Sequence, residues 1–105
     1  MRAIWQQHRA EVFERVGLIE RAVSALTAAE LDEQLRVDAR RAAHQLIGSV
    51  GTFGFIRASE TARELELALT DPAPARAQAM SRLIAIVRRE LAQGERGIGA
   101  AGRAR

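Results

Sequence analysis

The chain has 105 residues, 48% of them hydrophobic and 28% charged, which suits one globular domain and excludes both a disordered chain and a pair of domains. All 16 basic residues are arginine, against 13 acids for a formal charge of +3, so the sequence pI of 11.2 reflects arginine's high pKa more than an excess of charge. There is no cysteine, which excludes disulfides, thiolate catalysis and cysteine-ligated metal centres.

Residues 94–105 hold Arg96, Arg103 and Arg105 against Glu95 alone, and the remaining body has 13 arginines against 12 acids. In that body arginines and acids alternate as on a solvated helical surface, which argues against nucleic acid as a partner. The longest aliphatic run, Leu83-Ile84-Ala85-Ile86-Val87, is far too short to span a membrane, and no apolar leader follows Met1. A soluble, cytoplasmic protein without a membrane partner is the expectation.

Alanine, leucine, arginine, glutamate and glutamine are abundant, and no stretch alternates apolar and polar residues for the length of a strand, so the domain is predicted to be all-α. A first helix is predicted from about Ala3 to Leu26, with Trp5, Val12, Val16, Ile19, Val23 and Leu26 on one face. Thr27-Ala28-Ala29-Glu30 fits a capping box, in which a Thr hydroxyl and a Glu three residues on satisfy free amides. The second helix then runs to about Phe53 on the stripe Leu31, Leu35, Ala39, Ala42, Leu46, Val50 and Phe53. A third covers about Ile56 to Thr70 through Ala58, Ala62, Leu65 and Leu69. Asp71-Pro72-Ala73-Pro74 is the strongest break. A fourth helix follows from about Ala75 to Gln93, using Met80, Leu83, Ile84, Val87 and Leu91. Short connections make neighbouring helices antiparallel, so residues 1–93 are expected to form an up-down-up-down four-helix bundle. The glycine-rich residues 94–105 are expected to be a flexible tail or linker.

One residue stands outside this pattern. His44 lies two positions from both Ala42 and Leu46, about 200° around the helix from each, and so points away from the core. Arg40 and Arg41 precede it by one turn on that face, Ile47 and Gly48 follow by one turn, and Gly51 by two. Gly54 is placed to end the helix, but Gly48 and Gly51 are interior, where each costs about 1 kcal/mol relative to alanine. They are expected to leave bare backbone beside the imidazole for another protein to approach. Imidazole, with an ordinary pKa of about 6.5, keeps a ring lone pair available for attack on phosphorus at neutral pH. The same residues also suit a solvated surface histidine and close helix packing.

Ala43-His44-Gln45-Leu46-Ile47-Gly48-Ser49-Val50-Gly51-Thr52-Phe53-Gly54-Phe55 resembles the motif of histidine-containing phosphotransfer (HPt) domains, in particular the N-terminal phosphotransfer domain of the chemotaxis kinase CheA. The resemblance implies that His44 accepts a phosphoryl group and exchanges it with an aspartate of a response-regulator receiver domain, or with a histidine kinase. It implies a phosphocarrier without turnover or cofactor of its own, Mg²⁺ belonging to the partner; a monomer is the expectation. It also implies that Glu66, twenty-two residues after the histidine, hydrogen-bonds the ring and sets its tautomer; the alternative is a solvated glutamate in the run Arg63-Glu64-Leu65-Glu66. Ser49 belongs to the motif, and its hydroxyl is expected to bond a carbonyl of the preceding turn. Where the family often has a lysine, three residues after the histidine, this chain has Ile47. Arg40 or Arg41 is expected to supply the cation, or Ile47 to join Gly48 and Gly51 in a docking patch.

Elsewhere, His8 falls beside Trp5, Val12 and Val16 as a core-edge residue, and two isolated histidines make no metal site. Leu67 and Ile86 lie off their stripes, as a dimer seam or as plain exposed residues. The competing reading is an interaction or dimerisation bundle that lacks phosphotransfer. The phosphoacceptor part of a histidine kinase is disfavoured, because Gln45 stands where such kinases usually carry an acid.

Overall fold

The computed structural model describes the backbone of residues 2–103 and the side chains of residues 3–97. It contains four helices, α1 (Arg2–Thr27), α2 (Glu33–Thr52), α3 (Ile56–Ala68) and α4 (Ala77–Arg103), with a 3-10 turn at Pro74–Arg76 before α4. Each helix packs against its two neighbours, so the four close into an antiparallel bundle. No strand occurs among the described residues, and none of the described helices is long and apolar enough to cross a membrane.

The core forms where the four apolar stripes meet. Trp5, Val12, Val16, Ile19, Val23 and Leu26 are all buried, as are Ala58, Ala62, Leu65 and Leu69, and Met80, Ile84, Val87 and Leu91. The second stripe is buried at Ala39, Ala42, Leu46 and Val50, while Leu31, Leu35 and Phe53 lie partly exposed at its ends. Ala43 is buried too, so the inward face of α2 is broad and made largely of alanine.

The α1–α2 junction differs from the sequence expectation. Thr27 does not cap the start of α2; it closes α1, its hydroxyl donating back to the Val23 carbonyl at 3.0 Å. Glu30 N donates to Ala25 O at 2.7 Å and Ala29 N to Leu26 O at 3.0 Å, the paired bonds of a Schellman ending. Ala29 occupies its left-handed position at φ 58°. Asp32 then caps α2, its carboxylate accepting from Leu35 N at 2.7 Å. The local motif of Thr and Glu is real, but the preceding helix uses its residues first.

α2 ends the same way with the expected glycine. Phe55 N donates to Val50 O and Gly54 N to Gly51 O, both at 3.0 Å, with Gly54 left-handed at φ 85°. This turn sends Phe55 into the core, where its ring meets Trp5 edge-on at 5.1 Å between centroids.

The expected flexible tail is instead a continuation of α4 through Arg103; Ala104 and Arg105 lie outside the described residues. At Gly94 and Glu95 glycine's intrinsic cost in a helix is offset by tertiary contacts. The Phe55 ring rests on the backbone of Gly94, where any Cβ would overlap it. Glu95 accepts from Trp5 Nε1 at 2.9 Å and pairs with Arg9, tying the last turns of α4 to the first turns of α1.

Candidate functional site

His44 projects from the middle of α2, opposite its alanine face, with 72% of its side chain exposed. The next helix brings one carboxylate to it. Glu66, at the edge of the α3 stripe, places Oε2 2.8 Å from His44 Nδ1 while remaining largely buried itself. A carboxylate can only accept, so Nδ1 carries the proton and the lone pair rests on Nε2. This is the arrangement of a nitrogen nucleophile with its second nitrogen held. Glu66 is thus paired with the ring, not solvated among its charged neighbours.

Arg40 and Arg41 are exposed and, with Val37, His44 and Glu66, line one shallow depression. Among the described residues neither forms an ion pair, so two guanidinium groups stand beside the imidazole with their charge available to an anion. Ile47 is partly buried against the core and so gives only part of its side chain to a docking patch.

The two glycines separate. Around Gly48 an added Cβ would meet nothing within 4 Å, as an open approach requires. Gly51, expected on the same cleared surface, faces α3 instead: a Cβ there would lie 3.3 Å from Ser59 Oγ. The Ser59 hydroxyl donates to the Ile47 carbonyl at 2.8 Å, so the missing Cβ makes room for a neighbouring helix.

Ser49 bonds across helices and not to its own preceding turn. Its Oγ accepts from Arg15 Nη1 at 3.3 Å, while Arg15 Nε donates to Gln45 Oε1 at 3.1 Å. One arginine of α1 thus ties residues 45 and 49 of α2 to that helix. Neither Arg15 nor Ser59 stands out in the sequence, because both are identified only by which helix lies opposite them.

The remaining candidates lie elsewhere. His8 is half exposed, with 50% of its side chain accessible, and faces Glu11 at 3.6 Å, so it is less buried than its stripe suggests. Leu67 is 69% exposed, whereas Ile86 is partly buried. No group of three metal-ligating side chains occurs among the described residues.

Comparison with known proteins gives one match. A family model described as the Hpt domain matches residues 3–95. No curated protein and no solved structure matches the chain.

Proposed function

The chain belongs to the Hpt domain family, whose members serve histidine phosphotransfer in two-component signalling, and from that premise we propose that His44 is its phosphoacceptor. In the forward step His44 Nε2 attacks the phosphorus of a receiver's aspartyl phosphate. The N–P bond forms as the P–O bond to the aspartate breaks, and the carboxylate leaves. The reverse step returns the phosphoryl group to a receiver aspartate, and a histidine kinase is the alternative donor. The positive charge that develops on the ring is met by Glu66 at Nδ1, which keeps its proton throughout. Arg40 and Arg41 face the incoming phosphoryl oxygens from the turn before, in place of the absent lysine.

Mg²⁺ and most of the transition-state stabilisation belong to the partner's active site, so the domain carries phosphoryl groups without a cofactor or turnover of its own. The observation that supports this reading best is the exposed imidazole whose Nδ1 is held by Glu66. The test is phosphorylation by phosphoramidate or by a phosphorylated receiver, read by intact mass spectrometry. The expected result is one phosphoryl adduct, lost in acid and stable in base, and absent from His44→Gln. A second reading, an interaction bundle without phosphotransfer, is favoured by Ile47 standing where the lysine would be. A folded protein that gains no adduct from either donor would establish it.

A further inference from the structure

Building on that reading, we propose that the contact of Ser59 with Gly51 and Ile47 is a register pin between α2 and α3, and that Ser59 is a positioning residue for His44. Gly51 follows His44 by seven residues and Ser59 precedes Glu66 by seven. In an antiparallel pair of helices these two contacts therefore belong to one register, two turns apart and about 10 Å along the axis. If α3 slips by one residue against α2, Glu66 turns by about 100° and shifts by about 1.5 Å. Either movement separates its carboxylate from the imidazole.

Part of the packed surface holds that register weakly. Among the buried residues of the two helices, Ala39, Ala42 and Ala43 on α2 and Ala58 and Ala62 on α3 are small, beside the larger Leu46, Val50 and Leu65. Small side chains let the helices come close but interlock little. A directional bond supplies what their shape lacks. Ser59 Oγ reaches the Ile47 carbonyl at 2.8 Å, and it passes over Gly51 at a distance that an added Cβ would reduce to 3.3 Å. At the other end of the seam, Arg36 Nη1 donates to the carbonyls of Leu69 at 2.9 Å and Thr70 at 3.2 Å. The His44–Glu66 contact lies between these two fastenings.

The experiment records ring ¹⁵N NMR of His44 in the full chain, with the rate of phosphorylation by phosphoramidate as a second readout. Ser59→Ala removes the hydroxyl and almost no volume. Its expected effect is a fall of about fivefold in the ratio of the Nδ1–H to the Nε2–H tautomer, the equivalent of one neutral hydrogen bond. Ser59→Thr, which keeps a hydroxyl, recovers the ratio. A structural role alone would move the melting temperature and leave the tautomer in place. The pin is overturned if Ser59→Ala shows the wild-type ring spectrum while Glu66→Ala changes it. Because the tautomer is read without phosphate, that outcome leaves the phosphoacceptor reading standing. Conversely, an unphosphorylated wild type would overturn that reading and leave the tautomer measurement valid.

Discussion

The buried residues of α2 and α3 combine five alanines with Leu46, Val50, Thr61 and Leu65, and the contacts between the two helices at the surface are polar: His44–Glu66, Ser59–Ile47 and Arg36 on the carbonyls that follow α3. On α1 and α4 the buried residues are larger, among them Trp5, Val16, Ile19, Met80, Val87 and Leu91. Glu20–Arg88 and Arg9–Glu95 lie over that surface, with the Arg9 guanidinium 4.7 Å above the Phe13 ring. Large buried side chains supply most of the free energy of folding. Small ones allow backbones close enough for one side chain to be placed against another across the seam. The difference is one of emphasis: α1 and α4 carry most of the large buried side chains, and α2 and α3 carry the contact that orients an exposed imidazole.

Substitutions should therefore sort by seam. The largest effect is expected from His44→Gln, which removes phosphorylation altogether while changing stability by no more than about 0.5 kcal/mol, as for other exposed sites; a phosphodonor assay beside a denaturant melt checks both. On the opposite side, Gly94→Ala drives a Cβ into the Phe55 ring and should cost about 1–3 kcal/mol of overpacking. A glycine in a flexible tail would show no such cost. Phosphorylation of the Gly94→Ala molecules that remain folded should be unchanged. Glu66→Ala crosses the comparison again: it should slow phosphorylation by about tenfold, the worth of one charge-assisted hydrogen bond, with a nearly unaltered melt.

Two smaller effects belong to stability alone. Ala29 is left-handed at φ 58°, which costs about 1–2 kcal/mol for a residue with a Cβ. Replacement by glycine relieves that strain but frees the unfolded chain by about 0.4–1 kcal/mol. Ala29→Gly should therefore stabilise the protein by about 0.5 kcal/mol in equilibrium denaturation. Glu20 is held below its ordinary value of 4.5 mainly by its hydrogen bond from Arg88, against a smaller opposing effect of burial. A lowered folded-state pKa gives stability that is present above the ordinary value and lost as pH falls through the lowered one. The pair is well exposed, so its contribution is at most about 0.5 kcal/mol. Glu20→Gln should remove that much of the acid-induced loss of stability below pH 4.5, as read from melts across the acid range.

The sequence makes one class of feature legible and hides another. Apolar residues at three- and four-residue steps mark all four helices, Pro72 and Pro74 mark the break before α4, and His44 is found by its angle from Ala42 and Leu46. All of these are local. Glu95 bonds Trp5 from ninety residues away, and nothing near Gly94 in the chain announces that Phe55 will lie on it, so the glycine-rich segment reads as a tail. Gly51 and Ser59 are hidden for the same reason, since periodicity orients each helix on its own axis and does not say which residue of α3 faces which of α2. The α1–α2 junction fails differently: two local signals compete for Thr27 and Glu30, and the closure of α1 takes both residues.

The most direct test of the account is which ring nitrogen carries the phosphoryl group. Phosphorylating ¹⁵N-labelled protein and reading the phosphorus–nitrogen couplings by NMR identifies both the residue and the atom. With Nδ1 of His44 held by Glu66 at 2.8 Å, the expected product is phosphorylated on Nε2 of His44. Phosphate on Nδ1 of His44, or on His8, would contradict the account.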